Sequence, residues 1–213
     1  MKQELHVYTD GSVTKNGSKN AQGGIGVFFA QGDPRNVWRR LVLRPITTPR
    51  TELFAVIRAI DICLKDTTIH HANTLLIIHT DSMYVSKSAN SWLKQWKERG
   101  WKTKKGTDVK NIDLFRVLDE QLQNGELEIS IRHVYGHRGV YGNECADKLA
   151  VNGRKSNYTT DVRAVSAGEG GGVTVRAVSA GDGGGVVVRA GDGGGAVGGG
   201  ICDGKKRKLV GER

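Results

Sequence analysis

Cysteine and proline occur only three times each in the 213 residues, and aromatic side chains make up just 6% of the chain. Cys63, Cys145 and Cys202 are too few and too scattered for a disulfide framework or a zinc site. No apolar run approaches the roughly 20 residues that span a bilayer. The opening MKQELHVYTD has no apolar signal core. These absences argue against a disulfide-stapled secreted domain and a membrane protein. The expectation is a monomer in a reducing, intracellular compartment, the cytoplasm.

Glycine, by contrast, is plentiful and unevenly placed. All four Trp precede Lys155, whereas the later stretch VRAVSAGEGGGVTVRAVSAGDGGGVVVRAGDGGGAVGGG is an imperfect repeat. Ordering a glycine costs more backbone entropy than its missing side chain can offset. Residues 1–155 are therefore expected to fold as one domain, and residues 156–213 to form a disordered low-complexity tail whose removal leaves folding intact. Self-association of the β-prone VTVRAV and GVVVRA pieces is the alternative. The closing GKKRKLV holds a basic KKRK patch that would suit nuclear import in a eukaryotic host.

The tail carries eight Lys/Arg against six Asp/Glu, so eight of the ten net positive charges fall on residues 1–155. A basic surface suits a polyanion such as nucleic acid, and equally a soluble domain that is merely basic.

Alternation in LHVYTD predicts a first strand ending at Asp10, with Asp-Gly as a turn. IGVFFA and NVWRRLVLR predict two further strands of an antiparallel meander. In TELFAVIRAIDICL, Leu53, Val56, Ile57, Ile60 and Leu64 recur at helical steps, with Thr51 as the expected cap and Glu52 at the positive end of the helix dipole. The unbroken run TLLIIHT predicts a strand buried on both faces, as in a parallel sheet. DSMYVSKSANSWLKQWKERG reads as helix with a break near Ala89 to Ser91. A basic loop then leads to a helix over Ile112 to Gln123, the strand ELEISIRHV, and a last helix with Asn143 as its expected cap. The order βββαβααβα predicts an α/β fold: a five-stranded mixed sheet, its first three strands antiparallel, with helices on both faces.

Three acids fall at element ends: Asp10 after strand one, Asp81 after strand four, and Glu52 at the opening of the first helix. Each alone reads as punctuation or as a partner of the dipole. If strands one and four are neighbours, their carboxyl ends bring Asp10 and Asp81 together at the edge where α/β sheets place their sites. Crowded carboxylates repel, so one should hold a proton at neutral pH unless cations are bound.

The segments YTDGS, RTELFAVIRAI, TDSMYV and GHRGVYGNECADKLA, in this order, resemble the motifs of type 1 ribonuclease H across about residues 4–155. The resemblance implies a ribonuclease H-like fold and an endonuclease that hydrolyses the RNA strand of RNA·DNA hybrids, leaving 5′-phosphate and 3′-hydroxyl ends. It implies that Asp10, Glu52, Asp81 and Asp147 hold two Mg²⁺ ions, which Mn²⁺ can replace, and that His137 is an auxiliary histidine on a mobile loop.

It also implies substrate contacts. Gly11, Ser12 and Asn16 match positions facing the RNA strand, and Ser82 and Met83 follow Asp81 as expected. Tyr84 and Trp96 lie near a DNA channel, and Thr47 and Asn111 match a phosphate pocket. Arg50 in RTEL and Asn143 in GNECAD complete the set.

One departure stands before the helix-opening Glu. The family commonly has Asn or Gln before the RxE element, where this chain has Thr48 and Pro49, so an RNA contact is lost or moves to Thr48. Pro45 likewise stands where an Arg is sometimes found, leaving Arg44 to substitute. The departure keeps open a non-catalytic hybrid-binding module of the same fold; a DNA-acting transposase or integrase relative is the third reading.

Overall fold

The computed structural model describes residues 1–157 and the backbone of Thr159–Thr160. The glycine-rich repeats, expected to form a disordered tail, lie outside the described residues.

Among the described residues six strands make one sheet: β1 (Gln3–Thr14), β2 (Gln22–Phe28), β3 (Val37–Leu41), β4 (Thr74–Thr80), β5 (Glu128–His133) and β6 (Thr159–Thr160), in the order β5-β4-β1-β2-β3-β6. The first three are antiparallel, β4 runs parallel to β1, and β5 runs parallel to β4. The expected five-stranded mixed sheet is thus present. The two-residue β6 adds a sixth strand alongside β3, beyond the boundary expected at Lys155.

The helices are α1 (Thr48–Lys65), α2 (Met83–Lys87), α3 (Leu93–Glu98), α4 (Ile112–Gln123) and α5 (Tyr141–Lys155). The pleat divides the core between two faces. Val7, Ile25, Val27, Leu76 and Ile78 pack with Leu53, Phe54, Val56, Ile57 and Ile60 of α1, all essentially without solvent contact. Phe28, Tyr8 and Trp38 face Cys145, Ala146 and Leu149 of α5. Each fully buried aliphatic side chain contributes roughly 1.5–3 kcal/mol, so the α1 face carries most of the stabilisation.

Three local expectations are corrected and a fourth, the helix break, is given its form. β1 does not turn at Asp10-Gly11; it runs on to Thr14, with Gly11 paired to Ile25 of β2. Pairing with a second strand overrides the turn preference of Asp-Gly. α1 begins a turn earlier than Thr51, with Thr47 at the cap position and Pro49 in the first turn, where a missing N–H has no cost. Thr51 instead donates its hydroxyl to the Thr47 carbonyl at 2.9 Å.

α5 begins at Tyr141 after Val140, so Asn143 lies inside the helix and caps nothing. The break expected near Ala89 to Ser91 is a π-helical turn, Ser88–Trp92, joining α2 to α3. Its i→i+5 bond runs from the Leu93 N–H to the Ser88 carbonyl.

Candidate active site

The pairing register assembles the acids. β1 and β4 are paired up to Thr9 and Thr80, so Asp10 and Asp81 stand just past the last paired positions of adjacent parallel strands. Beyond this point β1 stays with β2 alone, and Asp10 is paired with Gly26. An added Cβ at Gly26 would lie 2.1 Å from the Ala146 carbonyl of α5. Only a glycine lets the helix sit this close to the sheet, and the close approach carries the next residue, Asp147, to Asp10.

Glu52 arrives from the opposite face. A Cβ at Gly11 would lie 2.6 Å from the Glu52 backbone nitrogen, so the expected turn glycine acts instead by letting α1 lie against β1 beside Asp10.

Two neighbours fix the rest of the group. The Asn143 amide donates to Asp81 Oδ2 at 3.2 Å from within α5. Ser82 caps α2 by accepting the Val85 N–H, and its hydroxyl donates to Glu52 Oε2 in a very short contact. Asn143 and Ser82 are both buried. Both of these expected substrate contacts therefore bond to carboxylates of the group.

The electrostatics follow. The Asp10 carboxyl, only 8% exposed, is pushed up to about 7, first by burial and then by the charge of Asp81; the Gly11 N–H opposes the rise, and Asp147 and Glu52 add to it. Burial also raises Glu52; the Ser82 hydrogen bond opposes this, and Asp81 adds to it. All four carboxylates therefore share one electrostatic field. Their donor atoms are oxygens, which suit a hard divalent cation. Among the described residues no group of three acids, histidines or thiols is close enough together to hold a metal ion as it stands.

His137 is exposed, with a left-handed backbone (φ 53°), in the loop between β5 and α5. Gly136 before it lies against Asp81: an added Cβ would be 2.6 Å from Oδ2. The loop's backbone thus reaches the acids, while the imidazole is in solvent.

The other expected contacts divide into two groups. In the second half of β1 the Ser12 hydroxyl accepts from Arg154 Nε at 3.2 Å, and in the turn after it the Asn16 side-chain oxygen accepts the Thr48 N–H at 3.2 Å. Thr48, the residue of the departure, is thereby tied to Asn16. Arg44 is engaged with the Lys19 carbonyl at 2.8 Å.

The second group surrounds Arg50, which is buried and makes a two-pronged bond to Asp113 at 2.8 and 2.6 Å. Asn111, in a left-handed conformation, donates to the Tyr84 hydroxyl at 3.2 Å. Tyr84 and Trp96 both pack edge-on against Phe115. Met83 stands 44% exposed beside Asp81. The sequence reading missed Asp113 and Arg154 as partners; an acid in the first turn of α4, two residues after Asn111, was the available signal for Asp113.

The RNase H family model matches residues 2–155. Ribonuclease H1 of Mus musculus is 40% identical over 157 residues, covering 74% of this chain and 52% of that protein. Ribonuclease H of Bordetella pertussis is 36% identical over 154 residues, covering 72% of this chain and 91% of that protein. The chain spans about half the length of the mammalian relatives it matches. Among solved structures, the solution structure of the PFV RNase H domain superposes with a TM-score of 0.57 at 30% identity, covering 73% of this chain and 96% of that one. With the four acids on the expected elements and this family match over the described fold, the chain belongs to the ribonuclease H family.

Proposed function

We propose that the protein hydrolyses the RNA strand of RNA·DNA hybrids, using two divalent cations and leaving 5′-phosphate and 3′-hydroxyl ends. The observation that carries this reading is the convergence of Asp10, Glu52, Asp81 and Asp147 at one sheet edge, where burial first and the neighbouring acids after it raise the Asp10 carboxyl to about 7. A site that crowds four acids at a sheet edge is poised to take up cations and, with them, a phosphate.

Asp10, Glu52, Asp81 and Asp147 would hold Mg²⁺, or Mn²⁺ in its place; when bound, such ions supply an activated water and neutralise the departing 3′ oxygen. The chain's own residues do the rest. Ser82 and Asn143 set the orientation of Glu52 and Asp81. His137, exposed on the loop beside Asp81, is placed to exchange a proton with solvent. Gly11, Ser12 and Asn16 continue from Asp10 along β1 and the turn after it, and so offer a path for the RNA strand. Recognition by sugar and phosphate needs no base sequence.

The Thr48-Pro49 departure leaves α1 intact, because Pro49 falls in the first turn and Thr48 is bonded to Asn16. The working unit on this reading is residues 1–155, to which β6 adds a short pairing with β3. The test is a labelled RNA·DNA hybrid incubated with Mg²⁺ and with Mn²⁺. RNA-strand cleavage that Asp10→Asn abolishes supports the reading; intact RNA with both metals defeats it, as does equal cleavage by Asp10→Asn.

A further inference from the structure

Five large apolar side chains are exposed among the described residues: Met1, Val42, Met83, Tyr135 and Tyr141. Two of them bracket Asp81. Met83 opens α2 two residues after Asp81, and Tyr135, 74% exposed, lies in the segment after β5. This segment is anchored on both sides of Tyr135. The Val134 N–H donates to the Thr80 carbonyl at 2.9 Å, and Gly136 abuts Asp81 Oδ2. The ring is steadied by His133, edge-on with centroids 5.4 Å apart and planes at 83°. Tyr135 thus offers a positioned aromatic face to solvent, one residue before the glycine that abuts Asp81. Tyrosine suits such a place because it has an apolar body and a polar tip.

We infer that Tyr135 is a substrate contact, its ring packing against a ribose of the RNA strand beside the phosphate held at Asp10 and Asp81. The inference rests on the proposed hydrolysis. In a duplex the bases are stacked inside, so the strand offers sugar and phosphate at this surface. The ring covers the apolar C–H surface of the sugar, and the hydroxyl extends toward the neighbouring phosphate. Such a contact carries no sequence information. Covering about 50 Å² of apolar surface corresponds to roughly a tenfold gain in affinity.

The test compares wild type with Tyr135→Ala and Tyr135→Phe on two labelled hybrids of unrelated sequence. Steady-state cleavage is measured in Mg²⁺, and equilibrium binding by fluorescence anisotropy in EDTA. The alanine variant should raise both KM and Kd by about tenfold on both hybrids with kcat retained. The phenylalanine variant should stay within about twofold, because the ring supplies most of the covered area.

Unchanged KM and Kd in Tyr135→Ala would overturn the inference. So would a loss confined to kcat, which would mean that Tyr135 acts on the His137 loop, or a loss on one sequence only, which would make it a base reader. If the wild type binds but cleaves neither hybrid, hydrolysis fails while weaker binding by Tyr135→Ala still supports the contact. If the wild type cleaves and Tyr135→Ala equals it, the contact alone fails. Tyr135→Glu, which keeps the exposure and repels phosphate, supplies a second variant and should weaken Kd further.

Discussion

Asp10 and Asp81 stand side by side on adjacent parallel strands, just past the paired residues Thr9 and Thr80. The Asp10 carboxyl, raised from its ordinary 3.8 to about 7, makes stability depend on pH. Between these values the folded state keeps a proton that the unfolded chain has released. Asp10 therefore costs nothing below about pH 4 and destabilises increasingly as pH rises through 7, by roughly 1–4 kcal/mol. Urea melts in EDTA at pH 5 and pH 8 should show this loss in the wild type and a smaller one in Asp10→Asn. Mg²⁺ should reduce the difference. Parallel pH slopes in the two proteins would refute the coupling.

Ser82 joins α2 to Glu52 through one hydroxyl. Ser82→Ala should lose about 1–2 kcal/mol of stability. It also removes the hydrogen bond that opposes the rise of the Glu52 carboxyl, so the acid limb of the cleavage profile should move to higher pH. Ser82→Thr should preserve both properties. A Ser82→Ala profile that overlays the wild type would show that Ser82 only caps the helix.

Gly26→Ala would push a methyl against the Ala146 carbonyl and the Ala150 backbone nitrogen, 2.1 and 2.6 Å away. Backbone cannot rotate aside as a side chain can, so the loss should reach about 3 kcal/mol or more. Because α5 must lift, Asp147 moves with it, and cleavage should fall even at temperatures where the variant remains folded. Circular dichroism alongside the hybrid assay separates the two effects.

Arg50 and Asp113 form an asymmetric pair, with side chains 6% and 39% exposed. Burial pulls the Asp113 carboxyl up, but the Arg50 hydrogen bonds and charge prevail and hold it below the usual range. Asp113→Ala leaves the buried guanidinium with only the long 3.5 Å bond to the Asn111 side-chain oxygen and should cost about 2–4 kcal/mol. Arg50→Met leaves a carboxylate that water can still reach and should cost less. Equal losses in urea denaturation would show that the guanidinium is hydrated after all.

Much of the fold was legible where local pattern and tertiary demand agree. TLLIIHT is β4 residue for residue, and Ile112 to Gln123 is α4. The acids were legible because strand ends deliver them. The continuation of β1 through Asp10-Gly11 was hidden, because local turn chemistry there is overruled by pairing to the glycine-rich β2. The bonds that orient the site were hidden too: Ser82 and Glu52 are 30 residues apart, and Asn143 and Asp81 are 62 apart. Neither spacing has a local signature.

The long first strand has one more consequence. Along β1, Val7 belongs to the core beneath α1, Tyr8 packs against the α5 side, and Gly11 touches α1. Side chains alternate strictly between faces, so shortening the strand by one residue would exchange the two sets. Losing Val7 should therefore place His6 beneath α1 and weaken the sheet that carries Asp10 with every acid still encoded, whereas a residue added to the exposed stretch 15–20 should be absorbed there. The molecule's tolerance for changes in length is set by the sheet's frame, and the acids inherit it.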